Sequence, residues 1–418
     1  MLLDRLFAAA IGDAAIDLVT ADGKRRRVGS GPPRLTLRLH DGSVGRDLLM
    51  NPRLRFGEAY MDGRLTVEGG TIYDALHLLM AGPEVQGALG WLREALSPVL
   101  RRLQQRNPLW RSRRNVAHHY DLSRAFYELI LDPDLQYSCA YFSDPAMTLE
   151  QAQEAKKRHI MAKLRLEPGM RALDIGSGWG GLALHMARHS DVRVLGVTLS
   201  AEQLAVSRQR AAEAGLSDRV TFERLDYREL AAIEAGGFDR IVSVGMFEHV
   251  GAPHYPAFFD AVHQLLTKDG VALLHAIGRL DGPSATNPRI RTYIFPGGYS
   301  PALSEVLPAL ESSGLLTTDI EILRLHYAET LRCWRRRFSS NRPAIQTLYD
   351  ERFCRMWEFY MAGAELSFRV QGHMAFQIQM SRSLETVPLT RDYITDADRQ
   401  AAASTVKAQT PLETESVV

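Results

Sequence analysis

The sequence predicts an α/β protein, a parallel sheet covered by helices on both faces and preceded by a smaller α+β unit. From Arg171 onward, short and nearly all-apolar runs alternate with amphipathic helical runs, the pattern of strands buried on both faces. The first of those runs ends in "ALDIGSGWGG", a glycine-rich turn between a strand and a helix. Nearer the N-terminus, "AIDLVTADGKRRRV" and "RLTLRLHDGS" read as strands ending in Asp-Gly turns at Asp22-Gly23 and Asp41-Gly42.

Taken in order, residues 1–100 form the small unit, with helical spacing in "LRFGEAYMDG" and "TIYDALHLLMA". Residues 101–114, "RRLQQRNPLWRSRR", are a basic linker without an acid. Anionic headgroups or nucleic acid phosphates could attract such a stretch, but a solvated linker is the plainer reading, since Pro108 interrupts any long amphipathic helix. Residues 115–394 are the larger domain. Its strands are expected at "RALDI", "RVLGVTL", "RVTFERL", "FDRIVSVG" and "GVALLHAIG". Its helices are expected at "GLALHMARH", "AEQLAVSRQRAAEAG" and "YPAFFDAVHQLL", the last closing near a Lys268-Asp269-Gly270 turn. "IEILRLHY" and "HMAFQIQMSR" read as further strands, with helical arms "LRCWRRRF" and "RMWEFYMAGAELSFR" between them. Residues 395–418 lack aromatic anchors and read as a mobile tail.

Composition excludes several classes. With 45% hydrophobic and 24% charged residues over 418, the chain has an ordinary globular make-up and room for a sizeable core. Its formal net charge of +1 does not single out a nucleic acid partner. Three scattered cysteines, Cys139, Cys333 and Cys354, suit a reducing cytosol better than a disulfide framework or a zinc site. Asp4, Arg5 and Asp13 interrupt any secretory signal at the N-terminus, and no apolar run reaches transmembrane length. Membrane contact is therefore expected to be peripheral. His118 and His119 are adjacent and diverge, with no third ligand at metal spacing, so no metal is expected.

The glycine turn admits two ligands. Gly176, Gly178 and Gly181 satisfy the dinucleotide GxGxxG, whereas Asp174 followed by Gly176, Gly178 and Gly180 satisfies the acid-x-GxGxG of S-adenosylmethionine (SAM) sites. A dinucleotide site wants an acid at the tip of the second strand, where this chain has Thr198. After the third strand, "RLDYREL" offers Asp226 to an adenine amine and Tyr227 to the ring. The residues favour SAM.

"NVAHHYDLSRAFYELILDPDLQYSCAYF", "LDIGSGWGG", "GVTLSAEQ", "SVGMFEHVG" and "TYIFPGGYSP", with "FGEAYMDG" in the N-terminal unit, closely resemble the cyclopropane fatty acid synthases, which include the mycolic acid cyclopropane synthases. The resemblance spans nearly the whole chain. It implies a Rossmann-like class I SAM-dependent methyltransferase domain behind a lipid-binding and dimerising N-terminal unit. It also implies a homodimer, peripheral at the inner face of the cytoplasmic membrane, that adds a methylene to cis double bonds of phospholipid acyl chains. The matching positions imply that Tyr137, Ser138, Asp174, Gly176, Ser177, Gly178, Gly180, Thr198, Ser200, Gln203, Asp226 and Tyr227 hold SAM. They likewise imply that Cys139, Glu248, His275, Tyr327 and the backbone of Ile277 hold bicarbonate, the base that closes the ring.

An isolated alkene is a feeble nucleophile and attacks a sulfonium methyl only when held in line. The resulting cation needs dry, aromatic walls, for which Phe142, Phe247, Phe295 and Tyr299 are candidates. From the residues alone, Cys139 reads as a buried inert thiol and His275 as a core histidine; the resemblance makes them anion contacts. Glu248 carries more by itself, because a carboxylate at the carboxyl end of a parallel strand faces the ligand crevice. One departure stands out. Many relatives have a cysteine where "FYMAGAELSFR" places Ala364, and Cys354 lies too far along to replace it. A bicarbonate base does not require that thiol, so activity is expected.

Overall fold

The computed structural model describes residues 2–82, 105, 122–397 and 399–400. The arginine stretch, apart from Gln105, and the pair His118-His119 lie outside the described residues.

The N-terminal unit is built on a sheet of order β2-β1-β3-β4, from β1 (Ala15–Val19), β2 (Arg25–Gly29), β3 (Thr36–Leu39) and β4 (Leu65–Glu68). The Asp22-Gly23 turn joins β1 and β2 as an antiparallel hairpin. β3 runs parallel to β1, and its Asp41-Gly42 turn leads into a helix. Helices α1 (Leu2–Ile11), α2 (Ser43–Met50), α3 (Pro52–Met61) and α4 (Ile72–Ala81) cover the sheet. A Thr71/Asp74 capping box starts α4, satisfying backbone donors that a helix end would otherwise leave open. The short β4, whose alternation is too brief to register, was not foreseen in the sequence.

The larger sheet has seven strands in the order β10-β11-β9-β8-β5-β6-β7. These are β5 (Arg171–Ile175), β6 (Arg193–Val197), β7 (Val220–Glu223), β8 (Phe238–Val244), β9 (Leu266–Arg279), β10 (Leu316–Leu323) and β11 (His373–Ser381). The strands from β9 to β7 are parallel; β11 pairs antiparallel with both β9 and β10. Helices α5 (Arg124–Ile130) and α6 (Leu149–Leu164) precede β5. Then α7 (Gly181–His189), α8 (Ala201–Glu213), α9 (Tyr227–Ala231), α10 (Tyr255–Leu265) and α11 (Leu303–Ser312) connect the strands, and the long α12 (His326–Leu348) and α13 (Glu351–Val370) form an arm before β11.

Two boundaries differ from the sequence reading. Lys268-Asp269-Gly270 is part of β9 rather than a turn, because α10 passes directly into β9 at two fully buried leucines, Leu265 and Leu266. The strand expected over "IEILRLHY" stops at Leu323. His326 and Tyr327 begin α12, where His326 Nδ1 accepts from the Phe142 N–H at 2.9 Å and the His326 carbonyl accepts from Thr330 at 2.8 Å.

The arm also completes the N-terminal core. Phe359, Ala362 and Leu366 of α13 are buried in one cluster with Phe56, Ala59, Ile72 and Leu76 of α3 and α4. Polar ties surround this seam: Tyr60 donates to Glu358 at 3.1 Å, Tyr293 to Glu58 at 2.8 Å, and Arg352 to Asp62 at 2.8 Å. The N-terminal unit and the larger domain thus share apolar surface, whose burial is favourable in proportion to its area. Among the described residues no helix is long and apolar enough to cross a membrane.

Candidate active site

A pocket opens at the carboxyl ends of β5, β6 and β8, where α/β sheets of this kind hold their ligands. The glycine turn forms its floor. Backbone N–H groups of Gly176 and Ser177 both donate to the Val197 carbonyl, at 2.9 and 3.0 Å, tying the turn to β6. Gly178 sits at φ +55 with nothing within 4 Å of where a Cβ would be, so a ligand can approach its backbone. Gly180 has a different task. It caps α7 at φ +82, and a Cβ there would lie 2.8 Å from Phe222 and Ser207.

Tyr137, Ser138, Asp174, Gly176, Ser177, Gly178, Thr198, Gln203, Asp226 and Tyr227 all line the pocket. Gly180 and Ser200 stand behind it: Ser200 caps α8, its Oγ accepting from the Gln203 N–H at 3.3 Å. That cap positions Gln203, whose Oε1 accepts from Thr198 at 2.9 Å.

The electrostatics divide the pocket into two ends. At one end the buried ammonium of Lys156 donates to Gln136 Oε1 at 2.6 Å and to Ser138 Oγ at 2.8 Å. Burial pulls Lys156 down to about 8 and pushes Asp174 up to about 7, the latter opposed by the Lys156 charge. A cationic donor and a carboxylate in one dry recess complement the two charges of an amino-acid group. At the other end Asp226 closes β7 and caps α9, with both oxygens held by Arg228 at 2.8 Å. Oδ1 also accepts from the Arg228 backbone N–H at 3.0 Å, so a ligand donor would have to reach Oδ2. Tyr227 packs edge-on against Phe258, with ring centroids 5.3 Å apart.

A second group lies beside the first. Just after β8, two residues past the pocket-lining Met246, comes Glu248, 8% exposed. Its Oε1 accepts from the Ile277 N–H at 2.6 Å, while Oε2 is buried with no hydrogen-bond partner among the described residues. Burial pushes Glu248 up to about 7. The backbone donor expected to face an anion at Ile277 is therefore engaged by Glu248 itself. His275, two residues earlier on β9, is buried, and burial pulls it down to about 3. Gln377 Nε2 donates to its Nδ1 at 3.1 Å, which leaves the proton on Nε2. Cys139 and Tyr327 fall within a neighbouring aromatic cluster, against which Ile277 packs. Burial pushes the Cys139 thiol well above the usual thiol range, so it is no thiolate.

That cluster revises the expected aromatic wall. Phe247 is sealed beneath α10, stacked on Tyr255 at 4.3 Å, and Tyr299 is buried in the same core with its hydroxyl on Glu305 at 2.6 Å. Phe142 and Phe295 instead pack against the cluster of Tyr137, Tyr327, Trp334 and Tyr360. There Tyr137 stacks on Trp334 at 5.1 Å, Trp334 meets Tyr327 edge-on at 5.9 Å, and Phe295 meets Tyr360 at 5.9 Å. Ala364 packs against this cluster too, while Cys354 is fully buried within it.

Sequence reasoning missed Lys156, Gln136, Trp179 and Arg228, all of which line the pocket. The signal for Lys156 was present: Thr148 and Gln151 form a capping box at the start of α6, marking the helix that carries it.

Sheet order, antiparallel β11 and pocket together define the class I SAM-dependent methyltransferase fold. Comparison with known proteins narrows this. The profile described as mycolic acid cyclopropane synthetase matches residues 108–378, and one described as a domain of unknown function (DUF7884) matches residues 2–81. The cyclopropane-fatty-acyl-phospholipid synthase of Escherichia coli (strain K12) is 38% identical over 364 residues, covering 85% of this chain and 90% of that protein. Tuberculostearic acid methyltransferase UfaA1 of Mycobacterium tuberculosis is 35% identical over 392 residues, 88% of either chain. The crystal structure of mycolic acid cyclopropane synthase CmaA1 complexed with SAH and CTAB is 35% identical and superposes with a TM-score of 0.60, covering 64% of this chain and 97% of that one. The chain belongs to the mycolic acid cyclopropane synthetase family, and it is a SAM-dependent enzyme.

Proposed function

We propose that the enzyme transfers a methylene to the cis double bond of unsaturated phospholipid acyl chains, closing a cyclopropane ring with bound bicarbonate as the base. The observation that carries this reading is Glu248: a carboxylate fixed on one oxygen by Ile277, with its other oxygen buried and unpartnered beside the pocket. An orphaned buried acceptor costs about 1–3 kcal/mol and calls for a donor, which the hydroxyl of bicarbonate supplies. The residues thus fit the ion: Glu248 Oε2 would accept from it, with His275 Nε2 and Tyr327 donating and Cys139 beside them. Bound there, it would supply a base for one proton of the newly attached methyl group.

SAM supplies an electrophilic methyl when bound. Tyr137, Ser138, Lys156 and Asp174 would orient its amino-acid end, the Gly176–Gly178 turn its ribose and sulfur, and Asp226 with Tyr227 its adenine. Tyr137, Trp334, Tyr327 and Tyr360 present π-faces that stabilise cationic charge on the lipid and keep water from it. The proposal extends to the domains. Residues 1–100 dock on lipid and contribute to a homodimer, residues 101–114 add electrostatic attraction at the inner face of the cytoplasmic membrane, and residues 115–394 catalyse; the tail expected from residue 395 is not retained, because residues 395–397 continue a helix that holds the buried Ile394.

A methyl-branched or methylene product is the second reading, favoured by the resemblance to UfaA1. Incubation of unsaturated phosphatidylethanolamine vesicles with protein and SAM, followed by mass spectrometry and ozonolysis, separates the readings. Ring closure gives an ozone-resistant product whose rate falls when bicarbonate is removed. A bicarbonate-independent rate, or an ozone-sensitive methylene product, overturns the proposal.

A further inference from the structure

The C-terminal half of α7, away from the glycine turn at its start, carries a cluster that the methyl-transfer chemistry does not use. His185 and His189 are four residues apart on α7 and so lie on one side of it; their ring centroids are 4.3 Å apart. Glu154 of α6 faces them, and one ligand atom from each of the three lies within 4.8 Å of the others.

His185 is 4% exposed, and the ring nitrogen it turns toward Glu154 is Nδ1, while Nε2 is buried on the other side of the ring with no hydrogen-bond partner among the described residues. Its Nδ1 stands 3.4 Å from Glu154 Oε1. That is longer than a good hydrogen bond of about 2.7–3.2 Å, and close to the separation of about 3.3 Å between two ligand atoms bound tetrahedrally to zinc at about 2.0–2.1 Å.

We propose that Glu154, His185 and His189 form a binding site for a divalent transition metal of the zinc class, with water completing a tetrahedron. The ligand types and the spacing along α7 are those of such sites. Lys157 Nζ holds the other oxygen of Glu154 at 2.9 Å, orienting the carboxylate while leaving Oε1 toward the imidazoles. The Lys157 charge is offset by Asp134 at 2.8 Å. Glu154 is partly exposed and His189 exposed, so an ion can enter from solvent. The same Asp134 pairs with Arg210 and with Gln136, whose amide nitrogen lies 3.0 Å away, so the site adjoins the pocket wall.

The test titrates chelator-treated full-length protein with Co2+ and follows ligand-field absorption, with His189→Asn and Glu154→Gln beside the parent. Retained S-adenosylhomocysteine binding shows that each variant is folded. The proposal predicts one equivalent of Co2+ with tetrahedral intensity, displaced by Zn2+, and affinity at least ten-fold weaker in either variant. Absence of saturable binding, an octahedral spectrum, or binding unchanged in both variants overturns it.

Discussion

Replacing Glu248 by Gln tests whether the dry environment inferred around this carboxylate is real, independently of catalysis. Burial raises the Glu248 carboxyl from an ordinary 4.5 to about 7. The native state therefore retains a proton that the unfolded chain releases, and stability falls as pH rises through that window. Below both values the penalty is absent; above pH 7 it is complete. A shift of this size corresponds to about 3 kcal/mol, at about 1.4 kcal/mol for each unit. Glutamine keeps an oxygen for the Ile277 N–H and cannot ionise, so any cost of its amide group is the same at every pH. Urea unfolding of ligand-free protein in bicarbonate-free buffer at pH 5 and pH 8 measures the difference. The stability of the variant relative to the parent should rise by about 2–3 kcal/mol between the two. A pH-independent difference would refute the assignment of a desolvated carboxyl at this site.

Three other perturbations follow from the geometry. Lys156→Met removes the buried donor shared by Gln136 and Ser138, and should weaken S-adenosylhomocysteine binding in calorimetry by about ten-fold or more; unchanged affinity would remove Lys156 from the site. Gly180→Ala places a methyl against Phe222 and Ser207 at an unfavourable φ, so about 1–3 kcal/mol of stability should be lost in thermal unfolding. Cys139, its thiol held protonated by burial, should resist iodoacetamide at pH 8 in the native state, and Cys139→Ala should retain turnover within about ten-fold. Turnover abolished by that change would make the thiol a participant.

The parallel strands themselves, though not their order in the sheet, were legible because "RALDI", "RVLGV" and "FDRIVSV" are largely buried and read as short apolar runs. Asp174, the glycines and Asp226 were legible for a related reason: strand ends and turns confine which residue types can approach a ligand. Helix α6 was not legible as a buried helix, since its inward face carries Lys156, Lys157 and Lys163, charges that apolar periodicity cannot detect. What makes them tolerable is tertiary: Lys163, for example, pairs with Glu321 at 2.6 Å across the sheet. The aromatic wall was misplaced at Phe247 and Tyr299 because one sequence segment gives no sign of which side of the sheet a loop ring will enter. Nor could the sequence show that the Ile277 N–H would be taken by Glu248, a contact between strands joined only in the folded chain.

The most direct measurement of the central claim uses SAM carrying a fully deuterated methyl group, with unsaturated phospholipid vesicles as acceptor. If a base beside Glu248 removes a proton from the transferred methyl and the ring closes, the product retains two of its three deuterons and no longer reacts with ozone. A product that keeps all three deuterons would contradict the account, because the transferred methyl would never have been deprotonated.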